Sequence, residues 1–465
     1  MAGIGFELNR MLQKKTLASV VKTFGYAAVL SSGPWVISMI IILAVGLTSV
    51  YISNSLPQGV MLQATVTYIS ALALSSIFTG FLQLPFTRFV ADRMYEKRYY
   101  HILPNLFGLL VFIVVVGTVL ITPLSFYIFT TQSNLFLLLY ISIFIILSLV
   151  WVTNILAASL KLYKYVILFY FLGYITIYIF SILLHGYGLV GYLVSFLIGN
   201  SLLFILLLLG IIYHYPSCNP DNQRFLRFDM FRQSYSKFYW KLAWAGFLGN
   251  MAIWIDKVIF WYSPNLGYSV IDKLHTSVVY DFPIFLAYLT IIPGMAIFFY
   301  RLEVNFVHAY NNFYSAVIKF GTISQIKRYK EDMILSVNRT IKEILLIQGM
   351  FNILIFLSTE ELFNFFQLPK LYIPLFYIDV IGVQLQLGFM AIMAYLYYLD
   401  RQKEALFFTV MFLLLNALLT WSSIQLGPYF YGYGFTITLL ILFLSSVYTL
   451  NKILQELDYQ IFMLQ

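Results

Sequence analysis

The chain has 465 residues; 61% are hydrophobic and only 10% charged. Soluble domains are about half apolar and about a quarter charged, so a water-soluble fold cannot hide this surface. Disorder needs low hydrophobicity and high charge and is excluded too. The apolar residues form continuous runs, which argues against a β-barrel and for an all-α polytopic membrane protein. The single cysteine, Cys218, allows no internal disulfide and no Cys-based metal cage.

Residues 1–24 open with Ile4, Leu8, Met11 and Leu12 at helical spacing beside Glu7, Arg10, Lys14 and Lys15. This pattern predicts an interfacial amphipathic helix, apolar face in lipid and basic side toward anionic headgroups. A span needs roughly 20 apolar residues, and backbone pairing inside lipid makes each such run a helix. Six spans are expected in an N-lobe, 25–212: about 26–50, 65–89, 104–129, 134–158, 165–184 and 188–212. The first run is too long for a cleaved signal peptide and lacks a small-residue cleavage site. A polar linker, 213–238, carries Pro216, Cys218 and Pro220. Six more spans follow in a C-lobe, 239–465: about 240–262, 282–300, 341–358, 372–398, 405–424 and 431–450. Between the second and third of these, residues 303–340 carry Phe306, Tyr310, Phe313, Val317 and Phe320 at helical spacing, then Lys327, Arg328 and Lys330. That segment is expected as an amphipathic helix at the cytoplasmic surface.

The basic residues check this count. With both termini inside, only Lys273 and Lys370 fall outside and Lys257 within a span; the rest of the 28 Lys and Arg lie on the cytoplasmic side. Membrane orientation therefore accounts for the net charge of +9, and nucleic acid is not implied. Two six-helix halves enter the membrane alike, which predicts a parallel repeat. Its echoes are an arginine closing the second span of each half, Arg88 and Arg301, and a tight basic turn after the fourth, 160–164 and 399–403.

Ionisable and amide side chains at membrane depth are expensive and usually line a protein interior or a wet cavity. In the seventh span Ala245, Gly246, Gly249, Asn250, Ile253, Asp256 and Lys257 fall largely on one helical side. The tenth span offers Asp379, with Gln384 and Gln386 nearby. Asp379 or Asp256 is expected to neutralise Lys257; such a pair either fixes packing or forms a polar step in a translocation path. Arg88 and Arg301 at cytoplasmic helix ends either snorkel or ring a mouth that binds phosphate or sugar hydroxyls. Pro34, Pro85, Pro123, Pro283, Pro293 and Pro374 can each kink a helix. The foremost hinge is Gly33-Pro34, where Ser31 and Ser32 can pair freed carbonyls.

No Walker loop, metal–nucleotide-sugar DxD pair, HExxH motif or supported Ser/His/Asp set is present, and His101, His185, His214, His275 and His308 are scattered. An enzyme, a cofactor and a metal are therefore not expected.

Several stretches resemble the PelG family, the membrane transport component of the Pel exopolysaccharide system. They are MAGIGFELNRML at the N-terminus, YAAVLSSGPW entering the first span, TRFVADRMYEKRY after the second, WIDKVIFW in the seventh, YDFPIFLAYLTIIPGMAIFFYRLEVNF at 280–306 and YYLDRQKEAL at 397–406. The resemblance implies a twelve-helix fold of the multidrug/oligosaccharidyl-lipid/polysaccharide exporter type, MATE- or flippase-like, with two six-helix lobes around a central cavity and alternating access. It implies an inner-membrane location, PelD- and PelE-like partners, a PelF-like cytoplasmic glycosyltransferase, and an N-acetylhexosamine-rich polymer as substrate. A lipid-linked oligosaccharide flippase and a non-transporting scaffold for the glycosyltransferase are the alternatives. Positions matching the family's charged motifs are Arg88, Asp92, Arg93, Asp256, Lys257, Asp281, Arg301 and Glu303. The expected path or gate is Arg88, Asn250, Asp256, Lys257, Arg301, Glu303, Asp379 and Gln386, with Gly33 and Pro34 as hinge.

Overall fold

The computed structural model describes residues 10–11, 16–52, 59–214, 225–232, 239–319, 321–365 and 369–459. Residues 1–9 and 12–15 of the expected interfacial helix, and linker residues Pro216, Cys218 and Pro220, lie outside them. The helices are α1 (Leu17–Ile52), α2 (Gly59–Tyr95), α3 (Ile102–Ile128), α4 (Asn134–Ser159), α5 (Tyr163–Leu183), α6 (Gly188–His214) and α7 (Trp240–Trp261). They continue as α8 (Val278–Leu289), α9 (Ile292–Tyr300), α10 (Val307–Ile318), α11 (Ile323–Phe365), α12 (Ile373–Tyr398), α13 (Gln402–Leu426) and α14 (Tyr433–Gln455). By length and composition, 11 helices among the described residues can cross a membrane. Val278–Leu289 and Ile292–Ile318, bent by 44° at their junction, pass the same test together and bring the count to 12 when taken as one span, the eighth in chain order. The chain is a multi-pass, nearly all-helical membrane protein; among the described residues it has one antiparallel hairpin, β1 (Tyr268–Ile271) and β2 (Leu274–Thr276).

Local chemistry sets the helix ends. Ser19 N–H donates to Thr16 Oγ1 and Thr16 N–H to Ser19 Oγ, both at 3.2 Å, so α1 starts well before its apolar run. The turn after α4 closes with Leu162 N–H on Ala157 O and Lys161 N–H on Ala158 O. The turn after α12 repeats this, with Arg401 N–H on Leu396 O and Asp400 N–H on Tyr397 O. Both are Schellman closures with a left-handed residue, Lys161 at φ 61° and Asp400 at φ 57°. The two sequence echoes are thus the same backbone device. Pro293 and Pro374 sit in the first turn of their helices, where no donor is needed, and begin α9 and α12.

Residues 303–340 differ from the single surface helix expected. A π-helical turn, Arg301–Phe306, carries the eighth span directly into α10. The chain then reverses at Gly321-Thr322, and α11 runs 43 residues without interruption into the ninth span. The reversal is local: Thr322 and Gln325 form a reciprocal capping box, Gln325 N–H on Thr322 Oγ1 and Thr322 N–H on Gln325 Oε1.

The contacts divide the chain into two compact units, Pro34–Ser277 and Met1–Gly33 with Val278–Gln465. The boundaries fall at Ser277/Val278, not within 213–238, and inside α1 between Gly33 and Pro34. The seventh span, α7, therefore packs with the helices before it, chiefly α2. The core of the 34–277 unit is aromatic and aliphatic, around Tyr68, Phe86, Phe136, Tyr140 and Phe196. In the other unit Phe306, Phe313, Tyr395, Leu387 and Leu439 are fully buried.

Candidate functional site

In the 34–277 unit the small side of α7 meets α2 backbone to backbone. A Cβ added at Gly246 would lie 2.1 Å from Gly80 O, and one at Gly80 would lie 2.7 Å from Gly246 O. Small residues let membrane helices approach this closely without a hydrophobic driving force. Asn250 Nδ2 donates to Gly246 O at 2.9 Å, so this amide belongs to the crossing. One turn on, Trp254 Nε1 donates to Ser76 Oγ at 3.1 Å, while Trp151 Nε1 reaches the adjacent Ser75 Oγ at 3.2 Å.

Lys257 Nζ lies 3.0 Å from Asp256 Oδ2 and also donates to Ile253 O at 3.0 Å. Adjacent helical residues point about 100° apart and seldom meet; the long lysine stem folds back along its own helix to make this pair. Of the two carboxylates expected to neutralise Lys257, Asp256 pairs with it. Asp256 is fully buried and Lys257 is 8% exposed, so each charge needs the other to persist there.

At the far end of α2, Arg88 Nε stands 3.4 Å from Asp92 Oδ1. Its guanidinium lies 5.8 Å from the Tyr239 ring, and the Tyr239 hydroxyl donates to Asp92 Oδ2. Burial, then the hydrogen bond to this carboxylate, pushes the Tyr239 phenol above its ordinary pKa. Arg88 thus joins the end of α2 to the residue preceding α7. Nearby, Arg227 N–H donates to Pro104 O, and Asp229 N–H to Asn105 Oδ1 at 2.8 Å, seating residues 225–232 on α3.

In the other unit Arg301 grips Glu343 of α11 through Nε and Nη2, and its Nη1 donates to Asn305 Oδ1 at 3.3 Å. Arg88 and Arg301 therefore share a plan: each reaches a polar residue four positions on, Asp92 or Asn305. Glu303 is half-buried on the π-turn. Asp379 of α12 is fully buried, and its Oδ1 would lie 2.8 Å from a Cβ added at Gly432, the left-handed residue (φ 81°) before α14. A carboxylate there complements the positive end of the helix. Gln386 is buried two turns along α12. The structure adds polar groups to the expected set: Glu343, Gln348 and Asn352 on α11, which meet the eighth span and, through Gln384, α12. The signal was present as Gln348 and Asn352, one helical turn apart inside an otherwise apolar run.

Within the 34–277 unit, Asn250, Asp256 and Lys257 lie on α7 and Arg88 lies near the end of α2; within the other unit, Arg301 and Glu303 lie on the π-turn and Asp379 and Gln386 on α12. At the proposed hinge, Ser32 Oγ donates to Ala28 O at 2.7 Å and Ser31 Oγ to the same carbonyl at 3.2 Å. Neither reaches Leu30 O, the acceptor that Pro34 deprives of its donor. Among the described residues no three His, Cys, Asp or Glu side chains converge as metal ligands. Inside both units lie paired charges, carboxamides and hydroxyls that bond one another.

The family model of PelG, described as "Putative exopolysaccharide Exporter (EPS-E)", matches residues 1–462. The chain belongs to that family. A crystal structure of a MATE in complex with MaL6 is 13% identical, with a TM-score of 0.64 over 92% of this chain and 97% of that one. An outward-facing multidrug-resistance MATE transporter of the MOP superfamily is 14% identical, with a TM-score of 0.62 over 93% and 96%. No curated protein matches in sequence. The fold is MATE-like, and family and fold are those of transporters.

Proposed function

We propose that this member of the exopolysaccharide exporter family moves a Pel-type, N-acetylhexosamine-rich polymer across the cytoplasmic membrane as a cytoplasmic glycosyltransferase makes it. The family match over residues 1–462 carries this reading. The Lys/Arg asymmetry supports an inner-membrane protein with both termini in the cytoplasm. PelD-, PelE- and PelF-like proteins are its proposed partners. Arg88, Asn250, Asp256, Lys257, Arg301, Glu303, Asp379 and Gln386 are its proposed path or gate residues. The carboxamides and ion pairs buried in both units suit a neutral, hydroxyl-rich cargo. Gly33-Pro34 is its proposed hinge, supported by the unit boundary that falls on that bond within one continuous helix.

The test is co-reconstitution with the cytoplasmic glycosyltransferase and assay of polymer on the far side of the vesicle membrane. Lys257→Met and Asp379→Asn should each reduce export while leaving polymer synthesis intact. Synthesis without translocation by a folded complex would sink the reading and favour a scaffold. Translocation only of lipid-linked sugars would favour a flippase.

A further inference from the structure

The 44° bend of the eighth span has a specific cause in its backbone ladder. In an unbroken helix Gly294 N–H would donate to Thr290 O, four residues earlier. Instead the carboxamide of Gln348 occupies that bond. Gly294 N–H donates to Gln348 Oε1 at 2.9 Å, and Gln348 Nε2 donates to Thr290 O at 2.9 Å. One amide thus satisfies the donor and the acceptor that the bend separates. Insertion of a side chain into the ladder is a recognised cause of a sharp kink, and in lipid both freed groups must find partners. Gly294 permits the approach, since a Cβ there would lie 2.8 Å from Gln348 Oε1. Pro293, with no N–H of its own, leaves no competing donor at the next position.

The amide is fixed from behind. Gln348 is 1% exposed; its Nε2 also donates to Asn352 Oδ1 at 2.8 Å. Asn352 Nδ2 donates to Gln384 Oε1 at 2.7 Å, and Gln384 Nε2 to Leu345 O at 2.9 Å. The ninth and tenth spans therefore determine whether the wedge is seated.

We propose that Gln348 is a removable wedge: seated, it holds the eighth span bent; withdrawn, it lets Thr290 and Gly294 bond directly and the span straighten. That straightening is a step of transport, a clause resting on the export reading above. Gln348 is a positioning residue, acting through the backbone of α8 and α9 and not through cargo contact.

The experiment places spin labels at Val278→Cys and His308→Cys, both exposed, in a Cys218→Ser background, and measures their separation in the purified full chain. With about 1.5 Å rise per residue, straightening lengthens this distance by about 3–4 Å. Wild type should give the shorter distance. Gln348→Leu, of similar size but unable to bond either group, should populate the longer one and lower export at least about tenfold. Asn352→Leu, which loosens only the backing, should shift both readouts in the same direction by less, and serves if Gln348→Leu does not fold. Wild-type distances in both variants would overturn the wedge. A lengthened distance with undiminished export would overturn its place in transport. Should wild type itself export no polymer while Gln348→Leu still straightens, the export reading falls and the wedge stands.

Discussion

Replacing Gly246 with Ala should separate two helices that now touch through their backbones. The added methyl would sit 2.1 Å from the carbonyl oxygen of Gly80 and 3.1 Å from its carbon. Carbon–oxygen contacts between packed helices lie near 3.3–3.6 Å, so α2 and α7 must part by roughly 1 Å. No flexible side chain can yield instead, because the obstacle is mid-helix backbone. Overpacking of this kind costs about 1–3 kcal/mol. The neighbouring Trp254–Ser76 bond would loosen too, at about 0.6 kcal/mol for an average hydrogen bond between membrane helices. The expected loss is about 1.6–3.6 kcal/mol, or about 15- to 400-fold in the unfolding equilibrium. Equilibrium unfolding in mixed SDS and nonionic micelles measures it. Gly80→Ala should cost less, because the amide of Asn250, 2.5 Å away, can rotate and the backbone oxygen of Gly246 stands at 2.7 Å, against 2.1 Å for the reverse contact. Gly46→Ala, with nothing within 4 Å, is the control and should be neutral or slightly stabilising. If Gly246→Ala unfolds like Gly46→Ala, α2 and α7 do not cross at Gly80 and Gly246.

Gly432→Ala forces a methyl into a left-handed position, at about 1–2 kcal/mol, and against Asp379 Oδ1; apparent thermal stability should fall, and an unchanged midpoint would refute the contact. For the Asp256–Lys257 pair, Asp256→Asn alone should destabilise by about 3–5 kcal/mol because it strands a buried ammonium, whereas Asp256→Asn with Lys257→Met should recover most of that loss; additive single and double values would disprove the coupling. Asp272, at the tip of the β-hairpin, accepts from the side chain and backbone N–H of Thr131. Burial raises its pKa, but the hydrogen bonds from Thr131, Thr130 and Gln132 together outweigh it, leaving the carboxyl below its ordinary value. A depressed carboxyl stabilises fully above the unfolded value, about 3.9, and loses that contribution as pH falls through the folded one. Exchange of the Thr131 amide should therefore lose protection in acid in wild type, and show no such pH step in Asp272→Asn.

The membrane-spanning runs were legible residue by residue, because inside lipid a run of apolar side chains must bond its own backbone and needs no distant partner. The same holds for the turns at 160–164 and 399–403, whose closures use only neighbouring peptide groups. The capping box at Thr322 and Gln325 is equally local, but the aromatic spacing that runs through 303–340 hides it, so the segment reads as one surface helix. The wedge at the eighth span is another matter: Pro293 hints at a bend, but Gln348 lies 54 positions beyond Gly294.

The membrane-crossing helices follow from runs of apolar residues, each read within its own segment. Tertiary packing chose among partners: Asp256 for Lys257, Glu343 for Arg301, Gly432 beside Asp379. It also placed α7 with the helices before it and set the unit boundary inside α1. The reason is that insertion into lipid is settled within each helix by its own side chains, whereas pairing between polar groups depends on how closely small residues let remote helices approach, and no single segment encodes that distance.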